Sequence, residues 1–325
     1  MIYIDLPDTE ERDAAFYLAM EEHVARTVDA DDCFFTWQVG PSVIFGRNQV
    51  AEAEADIDYC RSRGIATFRR KSGGGCVYAD RGNVMMSYIT QAGPVGFTYN
   101  KYVSLVLLAL RRMGIEAAAS GRNDIVAGGG KVSGTAFYHL PGRNIVHGTL
   151  LYDTDTENMA QALTPPAAKL QGKGVRSVRQ RIALLKDITT LSPDRLRAGL
   201  RRELCNGSVR LTAADVATIE QMAEEYRSPE FIFGKNPPCT VVRSRRTEGV
   251  GSVEARVSLH AGKIRSISFR GDFLPGDVPI ERLAEALRGA RLEPRSLGEA
   301  LRGGEAGAIR GMDAGTLISL LTEQT

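Results

Sequence analysis

A glycine-rich loop beside three basic residues is the first part of the sequence that could do chemistry. The run Arg69-Arg70-Lys71 is followed by Ser72 and by Gly73-Gly74-Gly75, and the loop lies between two β-like runs, residues 65–68 and 84–90. Glycines let the backbone approach a ligand closely and turn its N–H groups toward an anion. The neighbouring cations would hold that anion electrostatically. The loop therefore indicates a phosphate or nucleotide site, with a flexible basic hairpin tip as the alternative.

A second glycine-rich segment lies further along the chain. It runs from Asn123-Asp124 through Gly128-Gly129-Gly130 into Lys131-Val132-Ser133-Gly134-Thr135-Ala136 and is followed by His147-Gly148-Thr149. Generic nucleotide motifs do not explain it, because Gly130-Lys131 is followed by Val132 where a P-loop has Ser or Thr. The first loop is not a dinucleotide fingerprint either, since Tyr78 stands where the third glycine belongs. We therefore expect a different nucleotide-binding architecture.

Taken together, these segments resemble the lipoate–protein ligase family. The family signature is Arg-Arg-x-Ser-Gly-Gly-Gly, then Gly-Arg-Asn-Asp, then Lys-[Val/Ile]-Ser-Gly-[Ser/Thr]-Ala, then His-Gly-Thr-Leu-Leu. All four occur in this order, at residues 69–75, 121–124, 131–136 and 147–151, and residues 173–181 match a further segment. The resemblance covers most of residues 1–235. It implies the α/β (α+β) catalytic domain of biotin and lipoate ligases, which is built on a mixed sheet.

The resemblance also implies the residues of an active site. Lys131 would be catalytic and would contact both the carboxylate of the acid and the α-phosphate of ATP, whereas a lysine after glycines is otherwise typical of a solvated turn. The implied ATP-binding residues are Arg70, Gly75, Cys76, Val77, Tyr78, Asn123, Asp124 and Lys131. The implied lipoate-binding residues are Arg70, Ser72, Gly73, Gly74, Gly75, Lys131, Ser133, His147 and Gly148.

Three further roles are implied with alternatives. Asp124 is a candidate ligand of Mg²⁺, or part of an Asx turn with Asn123. His147 is either a general base or, as is more usual for a lone His on a strand, structural. The residues expected to cover the adenylate are Lys173, Gly174, Ser177, Val178 and Arg181, whereas the arginines of this segment, taken alone, would be a solvated charge run.

The function that this implies is a two-step ligation. Lipoate and ATP, with Mg²⁺, would give lipoyl-AMP, and the lipoyl group would then pass to a lysine of a carrier domain, either in a dehydrogenase E2 subunit or in the glycine cleavage H protein. One alternative is an octanoyl- or lipoyltransferase of the same fold that uses a cysteine near the lysine, but residues 115–150 contain no cysteine. A non-catalytic lipoate-binding protein is the other. A biotin ligase would carry a Gly-Arg-Gly-Arg-type loop, which the sequence lacks.

Helix-like and strand-like patterns alternate around these segments. Asp8 with Glu11 predicts the start of a helix that contains Ala15 and Leu18. Further predicted helices are residues 99–113, 156–163, 193–204 and 213–227, and further predicted strands are 33–39, 42–45, 131–138 and 145–152. Because the strict βαβ cadence of a doubly wound sheet is missing, the pattern favours a mixed, largely antiparallel sheet.

A domain boundary is predicted within residues 226–238, where prolines interrupt the pattern. We expect a catalytic domain over 1–235 and a small α/β accessory domain over 236–325, with a hairpin formed by residues 253–259 and 264–269 and helices at 279–287 and 313–322. The accessory domain is expected to influence adenylation or transfer by setting where the loop around Arg176 to Arg181 closes.

Composition limits the remaining possibilities. The chain has 325 residues, 43% hydrophobic and 25% charged, as in an ordinary globular protein, and its net charge of +2 does not argue for nucleic acid. The first residues lack a signal-peptide pattern and no apolar run is long enough to span a membrane. Five scattered cysteines suit reduced thiols, and four histidines without ligand spacing suggest no structural metal. We therefore expect a cytoplasmic monomer.

Overall fold

The computed structural model describes residues 1–49, 51–120, 124–163, 182–233, 241–260 and 263–322. The predictions for Asn123, for the covering residues between 173 and 181 and for the boundary at 235/236 lie outside these ranges. The strands are β1 (Ile2–Asp5), β2 (Asp32–Trp37), β3 (Ser42–Phe45), β4 (Ala66–Arg69), β5 (Val77–Ala79), β6 (Asn83–Gln91), β7 (Ala118–Ser120), β8 (Asp124–Ala127), β9 (Gly130–Leu140), β10 (Arg143–Leu151), β11 (Gly207–Arg210), β12 (Val241–Thr247), β13 (Gly251–His260) and β14 (Lys263–Gly271). The α-helices are α1 (Ala14–Thr27), α2 (Ala51–Glu54), α3 (Ile57–Ser62), α4 (Val95–Arg112), α5 (Thr156–Ala162), α6 (Pro193–Leu204), α7 (Ala213–Arg227), α8 (Pro229–Phe233), α9 (Ile280–Leu287), α10 (Pro294–Ala300) and α11 (Ala314–Thr322).

The main sheet has eight strands in the order β11-β1-β2-β6-β10-β9-β8-β7. β1 pairs in parallel with β2 and β11, and the other neighbours are antiparallel. The prediction of a mixed, largely antiparallel sheet is thus confirmed. The hairpin β9–β10 brings the two predicted segments together, with Thr135 opposite Gly148 and Ala136 opposite His147.

The glycine loop belongs to a second, small sheet with the order β4-β3-β5. β3 pairs in parallel with β4 and antiparallel with β5, so that residues 70–76 connect two strands that flank the same neighbour. Because β5 was not expected as a strand, the sequence did not predict this sheet. It sets the loop against the edge of the cavity described below.

Helix α1 is buried along most of its length and packs between the main sheet and α7. The helix begins one residue after Asp13, whose side chain accepts a hydrogen bond from the N–H of Phe16 at 3.0 Å. The predicted cap at Asp8 is therefore wrong. The carboxylate of Asp8 instead pairs with the guanidinium of Arg12 at 2.7 Å, before the helix starts.

The carboxy-terminal residues form a small domain with an antiparallel sheet, β12-β13-β14, and a separate hydrophobic core. Helices α9 and α11 pack against β14 and β12. Leu274 is fully buried in the core of the catalytic part, which joins the two parts. The Asp277 carboxylate accepts the N–H of Val95 at 3.0 Å and so caps α4 from the accessory domain. Among the described residues, no helix has both the length and the apolar character needed to cross a membrane.

Replacing Asp13 by Ala should lower the free energy of unfolding by about 1–2 kcal/mol, because it removes a helix cap. It also removes the ion pair between Asp13 and Arg227, whose Nε lies 2.8 Å from the carboxylate. Urea unfolding would measure the loss. Asp194→Ala is the matched control, because this first-turn carboxylate is 90% exposed and its ion-pair partner Arg197 is as far as 3.9 Å away. Equal stability of the two variants would contradict the role of Asp13.

Candidate active site

The guanidinium of Arg70 lies inside the glycine loop and organises it. It donates to the carbonyl oxygens of Ile44 at 2.9 Å, Gly73 at 2.8 Å and Gly75 at 2.7 Å, and its Nε donates to Ser72 Oγ at 2.9 Å. Burial lowers the pKa of Arg70 to about 10, so the side chain stays charged at neutral pH. Since the cation attracts two loop carbonyls inward, the loop is folded around it.

Close backbone packing holds the same loop from outside. Gly74 has a φ of +87°, a conformation that favours glycine, and a Cβ on Gly46 would lie only 2.2 Å from the Gly74 carbonyl oxygen. On the opposite side, the N–H of Gly74 donates to the carbonyl of Phe273 in the accessory domain at 3.1 Å. Glycine is therefore required at both positions for the loop to keep this shape.

A chain of buried hydrogen bonds connects the loop to helix α1. His147 Nε2 lies 2.7 Å from Ser72 Oγ, and His147 Nδ1 lies 2.9 Å from the fully buried carboxylate of Glu21. Because a carboxylate can only accept, Nδ1 carries the proton. In the neutral imidazole, Nε2 then accepts the hydroxyl proton of Ser72, whose oxygen already receives the Nε–H of Arg70. The network thus has one consistent direction of donation from the loop to the helix.

The same three residues have the order of a nucleophile, a base and an orienting acid, but they do not form a catalytic triad. Ser72 is 0% exposed, and it is not among the residues that line the cavity. A nucleophile must face its substrate. The arrangement can position the loop and His147, and it leaves neither nitrogen of His147 for another partner.

Lys131 lies beside a carboxylate on the neighbouring strand. Its Nζ is 2.7 Å from Asp124 Oδ1, and both side chains are mostly buried. The lysine stem crosses the face of Gly134, where an added Cβ would lie 2.8 Å from Nζ. Gly134 is therefore the position that lets Lys131 lie across its own strand. The result is a partly desolvated ammonium group held at a defined place.

These elements surround one cavity, which we call the central cavity. Eight of the predicted site residues line it: Arg70, Gly75, Cys76, Val77, Asp124, Lys131, His147 and Gly148. Its apolar wall consists of Leu18, Trp37, Ile44 and Met85. Trp37, at the end of β2, is part of this wall, whereas Phe35 on the same strand and Val43 and Phe45 on β3 are core residues.

Five predicted site residues lie outside the lining. Ser72 and Gly74 support the loop as described, and Gly73 faces a second cavity between the two parts of the chain. Tyr78 is buried in a smaller hydrophobic cluster. Ser133 is fully buried on β9, and its hydroxyl has no hydrogen-bond partner among the described residues.

Among the residues of the site that sequence reasoning missed, four have a charged or a positioning role. Glu21 has no motif around it, and Gly134 was read only as part of the signature. Arg246 and Asp272 line the cavity from the accessory domain, far from every motif. The periodicity of α1 offers a signal for Glu21. Leu18 and Glu21 are three residues apart and therefore lie on the same face of the helix. A charged residue on the buried face of a helix needs a partner.

Metal ligands are sparse in this site. Within the described ranges, no group of three or more His, Cys, Asp or Glu side chains could hold a metal ion. Asp124 supplies one hard oxygen donor at the cavity, which is what Mg²⁺ uses when substrate phosphates provide the other ligands.

Comparison with known proteins supports the architecture. The catalytic-domain model of the lipoyl protein ligase A/B family matches residues 13–204, and the model of the bacterial lipoate protein ligase C-terminus matches residues 236–321. The chain is 33% identical to the lipoate-protein ligase LplJ of Bacillus subtilis over 315 residues, which are 93% of this chain and 94% of that one.

Two solved structures are also similar. One is a bi-partite lipoate protein ligase from Thermoplasma acidophilum, studied with its E2 lipoyl domain, with a TM-score of 0.63 and 25% identity over 74% of this chain and 98% of that one. The other is a lipoate-protein ligase A bound with ATP, whose TM-score of 0.63 at 24% identity, over 72% of this chain and 98% of that one, shows a shared fold.

The fold and the comparisons together define an enzyme of the ligase class. The chain belongs to the lipoate–protein ligase family. The resemblance found in the sequence is therefore confirmed.

Replacing Gly134 by Ala should displace the ammonium group of Lys131 and lower ligase activity at least about 10-fold, as expected for a misplaced charge-stabilising group. Steady-state ligation assays would measure it. Gly96→Ala is the control, because a Cβ there meets nothing within 4 Å. Full activity in a folded Gly134→Ala protein would show that the position of the Lys131 side chain does not depend on the lack of a Cβ at residue 134.

Proposed function

We propose that the protein is an ATP-dependent lipoate–protein ligase that forms lipoyl-AMP and transfers the lipoyl group to a lysine of a carrier domain. The observation that carries this proposal is the ammonium group of Lys131, held next to Asp124 at 2.7 Å in a cavity with an apolar wall. A carboxylic acid with a long apolar tail and a nucleotide both find complementary groups there.

In the first step, a carboxylate oxygen of the acid attacks the α-phosphorus of ATP. The bond between this phosphorus and the oxygen bridging to the β-phosphate breaks, and pyrophosphate leaves with the electron pair. Two anions must approach each other for this attack. The ammonium group of Lys131 neutralises their charge and the charge that develops on the α-phosphate.

The glycine loop has a different part in the proposal. The backbone of Gly75, Cys76 and Val77 lies along the cavity and would contact the nucleotide. Arg70 contributes mainly from behind, because its donors go to the loop and to Ile44. A loop that is already folded needs little reorganisation when ATP binds, which favours catalysis.

Mg²⁺ fits as an ATP-bound ion. Asp124 would hold it together with the phosphates, and the ion would supply charge neutralisation to the triphosphate. The same carboxylate pairs with the ammonium group of Lys131 at 2.7 Å. The two partners of this pair would then contact different parts of the nucleotide.

The apolar wall suits the tail of the acid. Leu18, Ile44 and Met85 offer aliphatic contact, and the indole of Trp37 is fixed by stacking on Tyr17 with 4.9 Å between ring centroids. Its Nε1–H donates to Ser87 Oγ, so that only the apolar face remains for a ligand. The wall suits lipoate or octanoate, and the family relationship favours lipoate.

In the second step, the lysine amine of a carrier attacks the acyl carbon of the adenylate. The bond from this carbon to the AMP oxygen breaks, AMP leaves, and the amine loses a proton to solvent. We propose a lipoyl domain of a dehydrogenase E2 subunit or the glycine cleavage H protein as the carrier, in the cytoplasm where ATP is available. The similar Thermoplasma ligase was studied with an E2 lipoyl domain.

Lys131→Ala should lower lipoate-dependent exchange of pyrophosphate into ATP at least about 100-fold, the scale of removing one charge-stabilising group. The fold should be retained, since the neighbouring Val132 and Phe137 carry the packing of the strand. Lys186→Ala is the control, because this lysine is 42% exposed and pairs with Asp153 outside the cavity. Exchange at the wild-type rate in a folded Lys131→Ala variant would refute the assignment.

A thioester route is the second candidate, because Cys76 lines the central cavity. If adenylate transfer is the route, the Cys76→Ala protein should still transfer lipoyl to the carrier, and this transfer should still require ATP. Mass spectrometry of the carrier would measure transfer, and mass spectrometry of the enzyme would reveal an acyl adduct. Loss of transfer in the folded variant, with an acylated Cys76 in the wild type, would favour the acyltransferase.

A further inference from the structure

The accessory domain contributes a cation to the central cavity. On β12, Arg245 and Arg246 point to opposite faces of the sheet: Arg245 donates to Ser319 Oγ of α11 at 2.7 Å, whereas Arg246 lines the cavity that also contains Lys131. One face of this sheet is thus covered by helices of its own domain, and the other brings a guanidinium to the site.

The guanidinium of Arg246 is held in place by two neighbours. Its Nη1 donates to Ser252 Oγ at 3.0 Å and lies 3.5 Å from the carboxylate of Asp272. The side chain is 20% exposed, and Asp272 is also in the cavity lining. Because the side chain is ordered and largely desolvated in advance, it would lose little entropy on binding an anion.

The position of Asp272 relative to the catalytic part is set by its two neighbours in the chain. The N–H of Gly271 donates to the carbonyl of Asn48 at 2.8 Å, and the carbonyl of Phe273 accepts the N–H of Gly74 at 3.1 Å. Gly271 has a φ of +133°, and a Cβ there would lie 2.0 Å from the Ser252 carbonyl oxygen. These backbone contacts join the accessory domain to the glycine loop at the point where Arg246 reaches the cavity.

The proposed adenylation leaves a place for such a cation. Lys131 is assigned to the carboxylate and the α-phosphate, and the single Mg²⁺ ion would offset only part of the negative charge that accumulates on the departing pyrophosphate. A guanidinium binds phosphate oxygens through two parallel N–H bonds and stays charged at every physiological pH. We propose that Arg246 binds the β- and γ-phosphates of ATP and stabilises the leaving pyrophosphate.

This inference rests on the proposed ligase function. Measuring adenylation and lipoyl transfer separately distinguishes a failure of the inference from a failure of the proposed function. In the full-length protein, Arg246→Ala should lower lipoate-dependent pyrophosphate exchange about 100-fold. Transfer of lipoyl from chemically synthesised lipoyl-AMP to a carrier domain should stay at the wild-type rate, because no pyrophosphate takes part. Arg246→Lys should recover part of the exchange, since it restores the charge without the fork.

A second readout is specific for pyrophosphate. Inhibition of adenylation by added pyrophosphate should weaken in the Arg246 variants, while inhibition by AMP should not change. Arg245→Ala, on the covered face of the same strand, is the matched control and should behave as the wild type does. Thermal unfolding would show whether each variant is folded. If Arg246→Ala is unfolded, Arg246→Gln, which can still donate to Ser252, would replace it.

Three outcomes would overturn the inference. They are exchange at the wild-type rate in a folded Arg246→Ala or Arg246→Gln protein, unchanged inhibition by pyrophosphate, and an equal loss of exchange and transfer, which would indicate a merely structural role. Absence of exchange in the wild-type protein would instead refute the proposed ligase function.

Discussion

The geometry of the site depends on the hydrogen bonds that the buried carboxylate of Glu21 accepts. It accepts hydrogen bonds from Ser87 Oγ at 2.6 Å and His147 Nδ1 at 2.9 Å, with the hydroxyl of Tyr138 at 3.4 Å. Burial and the nearby carboxylate raise the pKa of Tyr138 well above its usual value, so this phenol remains a donor. A buried charge without such donors would cost several kcal/mol. The donors come from β6, β9 and β10, so one residue of α1 fixes the helix against three strands.

Two branches of the same hydrogen-bond network reach the regions proposed to bind the acid and the nucleotide. Through Ser87 it fixes Trp37 in the apolar wall, and through His147 and Ser72 it fixes Arg70 within the glycine loop. The wall that would receive the acid and the loop that would receive the nucleotide therefore share one internal support. Polar networks of this kind are cooperative, since each bond orients the next. This shared support explains why buried polar groups lie behind a cavity whose wall is apolar.

Elements with local signals were predictable from sequence, and those that depend on distant pairing were not. Helices α6 and α7 occupy the predicted ranges because Ser192 before a proline and a Thr212–Asp215 capping box mark their starts. Strands β1 and β11 pair across about two hundred residues of chain, and nothing local in either short strand indicates the partner. The site divides in the same way. Lys131, Asp124 and the loop follow from motifs, but Glu21, Gly134 and Arg246 become site residues only when the fold brings them to the cavity.

The hydrogen bond from Gly74 to Phe273 has a thermodynamic consequence. The shape of the glycine loop and the docking of the accessory domain share this bond, so they are linked equilibria. Linkage is reciprocal: a ligand that binds better to the loop in this shape must strengthen docking by the same factor by which docking strengthens its binding. If the coupling is about the net free energy of one hydrogen bond, ~1 kcal/mol, the factor is about five. Because this contact joins two backbone groups, the linkage would not depend on the identity of either side chain.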